Sequence, residues 1–194
     1  GLYDTFPLDN KNNFTLVNAI VYSYNHNVDF TGMTGQAESI LSKVNNHWLE
    51  DNLSLNYQKG GLTCSLVGEM KWRYAYSRRE NFSTIRTLDF NYGMLSSYKF
   101  KFGLETGMDL KMFSRRGYSD PLINANDLIC NVYISKSFLK GKLAAKLEGY
   151  DIFHQLKSIS YEINGQGKTE TRFNAIPNYL MLHLIYKMNI SGKK

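Results

Sequence analysis

The chain has 194 residues, among them 14 Tyr, 11 Phe and 2 Trp but only 3 Pro. Such an aromatic-rich composition excludes an intrinsically disordered chain, and the length is enough to bury a substantial core. The formal net charge is +6, but Lys and Arg alternate with Asp and Glu along the chain, which argues against a nucleic-acid-binding protein. No run of 18 apolar residues is present, so the sequence predicts no transmembrane helix.

Hydrophobicity alternates with a period of two along most of the chain, which indicates β-strands. We predict eight strands, at residues 13–30, 48–59, 61–77, 82–96, 98–113, 126–138, 142–161 and 168–189. The tight connections are Lys59-Gly60-Gly61, Ser96-Ser97 and Leu139-Lys140-Gly141. The looser connections are Thr31–His47, Arg78–Asn81, Ser114–Ala125 and a turn around Asn164-Gly165. Tight and looser connections therefore alternate along the chain.

The alternation divides each long strand into an ionic side and an apolar side. We predict that one set of polar residues faces an interior: Glu69, Lys71, Arg73, Lys99, Lys101, Glu105, Asp109 and Lys111. We predict that a second set faces lipid: Leu66, Met70, Trp72, Phe100, Phe102, Leu104, Leu180, Leu182, Leu184 and Tyr186. The ionic residues are expected mainly to form ion pairs that fill or line the interior.

The length of these alternating segments, about 15 residues, distinguishes them from ordinary soluble strands of about 5–6 residues. A tilted strand crosses a bilayer in about 9–11 residues and can continue into the loops. We therefore predict an all-β fold, an antiparallel up-and-down transmembrane-type β-barrel, with residues 1–194 as a single domain. About eight strands form the whole barrel or the last eight strands of a larger one. A soluble β-sandwich or lipocalin-like barrel remains an alternative, with the apolar sides turned inward.

Residues with catalytic or metal-binding chemistry show no recognisable spacing. The four histidines, His26, His47, His154 and His183, have no partner at metal-ligand distance in the sequence, and neither a HExxH nor a CxxC motif occurs. No GxSxG nucleophile motif is present. We predict a protein that is not an enzyme and that holds no cofactor or metal.

The last third of the chain contains several motifs. The first is Arg115-Arg116-Gly117-Tyr118-Ser119-Asp120, followed by the segment from Asn126 to Lys142 and then by the box Asp151-Ile152-Phe153-His154-Gln155. Thr171-Arg172-Phe173-Asn174 and a closing segment from Ile176 to Asn189, with Pro177 and Tyr179, complete the set. This part of the chain resembles the C-terminal barrel segment of TonB-dependent outer-membrane receptors, in the group called outer membrane β-barrel proteins.

The resemblance implies the outer membrane of a Gram-negative-type cell, with the lipid bilayer as surroundings, and nutrient uptake as the function. It also implies a plug domain and a periplasmic energy-coupling protein as partner. Residues 1–194 include no plug domain and no coupling box, and they supply about eight strands where such receptors have about 22. We therefore expect the C-terminal portion of a longer receptor. A small stand-alone barrel acting as an anchor or adhesin, and a soluble ligand-binding β-barrel, are the alternatives.

Overall fold

The computed structural model describes residues 1–32, 39–78, 82–121, 123–157, 159–163, 168–172, 174 and 176–188. Within these residues the chain forms eleven β-strands and a short 3-10 turn at Leu139–Gly141. The strands are β1 (Leu2–Pro7), β2 (Phe14–Gly32), β3 (Ser39–Lys59), β4 (Leu62–Ser77), β5 (Ile85–Lys99), β6 (Leu104–Arg116), β7 (Asn126–Phe138), β8 (Leu143–Tyr150), β9 (Ile159–Ile163), β10 (Lys168–Arg172) and β11 (Tyr179–Tyr186).

Nine of these strands form one antiparallel sheet in the order β1-β2-β3-β4-β5-β6-β7-β8-β11. Each strand lies beside its neighbour in the chain, except that β11 follows β8 because β9 and β10 pair with each other in a separate hairpin. The predicted all-β, antiparallel, up-and-down fold is confirmed. Within the described residues the sheet is open, with β1 and β11 as its two edge strands.

The first strand of the sheet was not predicted from the sequence. β1 pairs with β2 from Leu2 opposite Ile20 to Pro7 opposite Thr15. The turn between them is closed by Asp9, whose carboxylate accepts hydrogen bonds from the backbone N–H of Phe14 (2.9 Å) and the side-chain amide of Asn13 (2.7 Å). These hydrogen bonds, with that from Phe14 the largest cause, lower the pKa of Asp9. The short strand was missed because six residues with one Pro give too little alternation to read.

The predicted connection Thr31–His47 is wrong over most of the part that the structure describes. β2 continues to Gly32, and β3 begins at Ser39 and pairs with both β2 and β4. Residues 33–38 of this connection lie outside the described residues. The strand was missed because its first half carries polar residues on both sides, such as Asn45 and Asn46, so the alternation disappears there.

The predicted tight turn at Ser96-Ser97 is also wrong. Both serines lie inside β5, opposite Met108 and Gly107 of β6, and the turn is formed instead by residues 100–103. Gly103 adopts a φ of 80°, in the left-handed region that favours glycine. Its N–H donates to the carbonyl of Phe100 at 3.1 Å. The serine pair is a common turn signal, but the positive φ that this turn needs is supplied by Gly103, six residues after Ser97.

The last two predicted strands are interrupted. β8 ends at Tyr150, where Asp151 takes a φ of 44°, and β11 does not begin until Tyr179. The described residues between them include the separate β9–β10 pair, so the predicted strands 142–161 and 168–189 are each interrupted. The predicted turn at Asn164-Gly165 lies outside the described residues.

The connections fall into two groups at opposite ends of the sheet. At the end that we call the inner end, the links are short: residues 8–13, 60–61, 100–103 and 139–142. At the opposite, outer end the chain runs through residues 117–125 between β6 and β7 and through 151–178 between β8 and β11. The inner links at 60–61, 100–103 and 139–142 are therefore shorter than these two outer connections.

Candidate functional site

The two faces of the nine-stranded sheet differ in chemistry, and the strand register defines each of them. The face that carries Glu69 and Lys71, which we call the charged face, also carries Asn52 of β3 and Asn91 of β5, directly opposite Glu69. The other face, which we call the apolar face, carries Leu66 together with Leu55 of β3 and Met94 of β5. Alternation along each strand extends both faces across the whole sheet.

The charged face is the concave one. A hollow of about 520 Å³ on this face is lined by residues from Tyr3 of β1 to Phe113 of β6. Four strands lie between β1 and β6, so the sheet must curve for both residues to line one hollow. The curvature also brings the long ionic side chains together, so that the side chains of Lys71 and Glu69 are each 36% exposed. On the apolar face, Leu66 is 51% exposed.

No second layer covers either face within the described residues. The chain has a solvent-accessible surface of 14130 Å², whereas a compact monomer of this mass has about 9,400 Å². The buried apolar residues are few: Val44, Ala75, Ile123 and Cys130. A single sheet with so much exposed apolar surface requires something else to cover that surface.

Most of the predicted interior residues lie together on the charged face. Glu69, Lys71 and Arg73 lie on β4, Lys99 ends β5, and Glu105, Asp109 and Lys111 lie on β6. Lys71 pairs with Glu69 at 3.0 Å, and Lys111 pairs with Asp109 at 3.0 Å. Lys101 is different, because it lies in the turn of residues 100–103 and not in a strand.

A second ionic group on the charged face was not singled out from the sequence. Glu148 of β8 forms an ion pair with Lys146, and its carboxylate lies 2.7 Å from Nε2 of His183 on β11. The hydroxyl of Tyr150 donates to the same carboxylate at 3.0 Å, and the hydroxyl of Tyr133 donates to Glu105 at 2.7 Å. The spacing of Lys146 and Glu148 repeats that of Glu69 and Lys71, and this repeat was the available signal.

The predicted lipid-facing residues of the strands share the apolar face. Leu66, Met70 and Trp72 lie on β4, Leu104 begins β6, and Leu180, Leu182, Leu184 and Tyr186 follow one side of β11. Leu180 is 75% exposed. Phe100 and Phe102 lie in or beside the inner turn instead, where they continue an aromatic row from Tyr98 with ring centroids 4.6 and 5.3 Å apart.

Aromatic side chains on the apolar face form two belts, one near each end of the strands. The outer belt consists of Tyr22, Tyr24, His47, Trp72, Tyr74 and Tyr76, with neighbouring ring centroids between 5.0 and 6.3 Å apart. The inner belt consists of Phe14, Tyr57 and Tyr98 on the face, and the turn residues Phe100 and Phe102 extend it beyond the end of β5. From Tyr57 to His47 the strand rises about 33 Å, at about 3.3 Å per residue.

Asn18 and Asp51 form a polar pair on the apolar face between the belts. Asn18 of β2 donates a hydrogen bond from its amide to the carboxylate of Asp51 on β3 at 2.7 Å. Their cross-strand neighbours include Leu53, Ile20 and Met70. Burying a carboxylate among apolar side chains costs free energy unless the carboxylate is hydrogen-bonded or protonated. Here the Asn18 amide donates that hydrogen bond.

The motif Arg115-Arg116-Gly117-Tyr118 ends β6 and begins a loop that folds over the charged face. The Tyr118 hydroxyl donates to Asp89, lying 2.8 Å from both carboxylate oxygens, and burial followed by this bond raises the pKa of Tyr118 to about 12. Gly117 has a φ of 82°, and its backbone passes so close to Arg86 that a side chain would collide there. Asn124 closes the loop by bonding to the Tyr118 N–H and carbonyl.

The Asp151-Ile152-Phe153-His154-Gln155 box forms a compact turn that is braced by its first residue. Asp151 is 3% exposed, and its carboxylate accepts the backbone N–H groups of Gln155 (3.0 Å) and Leu156 (2.7 Å). Gln155 in turn accepts the N–H of Leu128 on β7 at 2.8 Å. Phe153 is 49% exposed. The box therefore acts structurally, by fixing the outer end of β7 and β8.

The closing segment positions the last strand. Pro177 precedes β11 by two residues, outside the hydrogen-bonded ladder, where its missing N–H causes no loss. Tyr179 begins β11 and stacks on Tyr150 of β8, with ring centroids 4.6 Å apart. Phe173 and residues 189–194 of the family-like segment lie outside the described residues.

Within the described part of the chain, no helix is long and apolar enough to cross a membrane. The same residues include no group of three or more His, Cys, Asp or Glu side chains arranged to hold a metal ion. No protein-family model matches the chain, and neither a curated protein nor a solved structure is significantly similar to it.

Proposed function

We propose that this chain is part of an outer-membrane β-barrel, with its apolar face in contact with lipid and its charged face enclosed. The observation that carries the proposal is the apolar band between two aromatic belts on the convex face, which lie about 33 Å apart along β3, or about 25 Å at the tilt of about 40° that membrane barrels have. Membrane barrels have an outward apolar band of about this height, flanked by aromatic girdles, and a polar interior. Amphipathic rings favour the two interfaces because one edge prefers lipid and the other prefers water.

The larger identity that we propose is the C-terminal barrel portion of a TonB-dependent receptor. The motifs from Arg115 onward support it, and so does the form of the sheet. The main sheet of the described residues has nine strands, an odd number, whereas single-chain bacterial barrels have an even number. Open edges at β1 and β11 leave unpaired backbone groups, which further strands of a larger barrel would satisfy.

The function that follows is nutrient uptake across the outer membrane of a Gram-negative-type cell. The Glu69, Lys71, Asp109 and Lys111 side chains would line the wall of the passage, and no step of chemistry is assigned to them. A plug domain and a periplasmic energy-coupling protein would act through other parts of the receptor. The partner of the strands described above is the lipid bilayer.

The two alternatives make different demands on the sheet. A small stand-alone barrel, acting as an anchor or adhesin, requires β1 to pair with β11, and these strands are the separate edges of the sheet. A soluble ligand-binding barrel requires the apolar rows to line the inside, but the concave side carries Glu69 and Lys111. Both features favour the larger membrane barrel.

The proposal is tested by uptake of radiolabelled nutrients into cells from which codons 1–194 are deleted in the full-length gene. We expect uptake of one nutrient to fall to background and to be restored by the intact gene. A gene that carries both Leu66→Arg and Leu110→Arg, on the apolar face, should fail to restore it and should leave little protein in the outer-membrane fraction. Unchanged uptake after the deletion would contradict the proposal.

A further inference from the structure

A small hollow opens on the charged face near the outer end of β2, β3 and β4. It has a volume of about 130 Å³, and Asn25, Asn27, Asn46 and Trp48 are among its lining residues. The register places these side chains together, because Asn25 lies opposite Asn46 and Asn27 lies opposite Val44. Asn46 in turn lies opposite Ala75 of β4. The hollow therefore combines three amides and one indole.

The polar groups of this hollow have unused hydrogen-bonding capacity. The indole Nε1 of Trp48 is buried and has no hydrogen-bond partner within the described residues. Such a buried donor costs about 1–3 kcal/mol when it is unsatisfied, so native proteins seldom leave one without a purpose. Asn25 and Asn27 are exposed, and no hydrogen bond joins their side chains or that of Asn46 to another described residue, whereas Asn56 and Asn91 bond within the sheet.

The surroundings hold the hollow in shape. The guanidinium of Arg73 stacks on the Trp48 ring, with Cζ 4.3 Å from the ring centroid, which fixes the plane of the indole. Val44 and Ala75 are each only 5% exposed, so the base of this region excludes water. On the β5 side, the loop tethered by Tyr118 to Asp89 covers the sheet.

We propose that this hollow binds a neutral polyhydroxylated ring, such as the terminal sugar unit of an oligosaccharide. Amide side chains both donate and accept hydrogen bonds, which matches hydroxyl groups that do the same. The lining residues include no carboxylate, the Arg73 guanidinium is stacked on Trp48, and the volume suits one ring. The inference rests on the proposed function, in which this end of the charged face is the outer mouth of the barrel.

The two tryptophans of the chain make the test selective, because Trp48 lies on the charged face and Trp72 on the apolar face. In the full-length receptor, with Trp72 and every tryptophan outside residues 1–194 replaced by Phe, and purified in a detergent without a sugar headgroup, Trp48 is the remaining tryptophan. We expect its emission to change saturably with at least one of methyl glucoside, methyl galactoside and N-acetylglucosamine. Asn46→Ala should weaken that binding about tenfold or more, which is about 1.4 kcal/mol.

Asn56→Ala is the matched control, since Asn56 lies on the same strand and face but bonds to Ser65 near the inner end. We expect it to leave binding unchanged. No saturable response to any of the three sugars, or equal affinity in Asn46→Ala, would overturn the proposal, and so would a response to inorganic phosphate alone. Calorimetry on the unsubstituted chain repeats the titration if Trp72→Phe impairs folding.

Membrane insertion is measured on the same samples by the heat-dependent shift in electrophoretic mobility. A protein that inserts into bilayers but binds no sugar would overturn the sugar site alone. A protein that remains folded and monodisperse in water without detergent would instead contradict the membrane barrel itself.

Discussion

We expect Leu66→Arg to lower the free energy of unfolding in a bilayer by about 2–4 kcal/mol. This is the cost of placing a cation on the lipid-facing side of a barrel near the midplane of the bilayer. Leu66 is 51% exposed and lies between the two aromatic belts on β4. It follows Leu62, at the inner end of the strand, by four residues, which places it about 10 Å above that end at a tilt of about 40°.

The same substitution distinguishes the lipid-facing account from a soluble one. A half-exposed leucine on a water-facing surface changes stability by about 0.5 kcal/mol or less when replaced. A leucine in an internal core would lose packing whatever its depth along the strand. The lipid account therefore predicts a dependence on depth that neither of the others predicts.

Leu104→Arg is the matched control for depth. Leu104 shares the apolar face but begins β6 opposite Lys136, whose ammonium group already donates to the Phe102 carbonyl at 2.7 Å near the inner turn. An arginine there should cost about 0–1 kcal/mol, the value for the interface. The assay is urea titration of the protein in lipid vesicles, followed by tryptophan emission. Equal losses at the two positions would refute the assignment of the apolar face to lipid.

Three further predictions follow from named contacts. Replacing both Asn18 and Asp51 by Leu should raise stability in a bilayer by about 1–2 kcal/mol in the same titration, and a loss would contradict lipid contact there. The Tyr118 pKa of about 12, against an ordinary 10.0, means that its contribution to folding is complete below pH 10 and is lost as the pH rises to 12. Absorbance at 295 nm should show this late step, and Tyr118→Phe should abolish it. Asp151→Ala removes the acceptor of two backbone N–H groups and should lower the stability of this turn by about 2 kcal/mol. Chymotrypsin should then cleave faster after Phe153, and unchanged cleavage would contradict the bracing role of Asp151.

The alternation of side chains predicts the faces of the sheet wherever one face is apolar and the other ionic. β4 is the clearest case, because its Leu66, Met70 and Trp72 lie on one face of the sheet in the structure. Glu69 and Lys71 lie on the other face. The signal fails where both faces are hydrated. The outer half of β3, with Asn45 and Asn46, therefore had the composition of a loop.

Turn positions were harder to predict, because the residue that matters is the one with positive φ. Gly103, directly before β6, and Asp151, directly after β8, both adopt such conformations, at places that the hydrophobic pattern does not mark. For this reason the turn lies at residues 100–103 and not at the predicted Ser96-Ser97. Phe100 and Lys101 consequently lie at a turn rather than on the faces predicted for them.

The candidate sugar site could not be predicted from the sequence at all. Trp48 and Asn46 lie two residues apart on β3, but Asn25 comes from β2 and Ala75 from β4. Only the register of three strands brings them together. The curvature of the sheet, which decides which face is concave, is likewise a property of the whole assembly and not of one strand.

The central claim is that the apolar face contacts lipid while the charged face encloses water. The most direct test is a nitroxide scan of β4 from Leu62 to Tyr76 in bilayers, with Cys64 and Cys130 first replaced by Ala. Collision rates are measured with oxygen, which concentrates in lipid, and with a water-soluble nickel chelate. We predict a period of two, with oxygen contact highest at even-numbered positions such as 66 and 70 and nickel contact highest at 69 and 71. Equal water contact on both faces, or the opposite phase, would contradict the account.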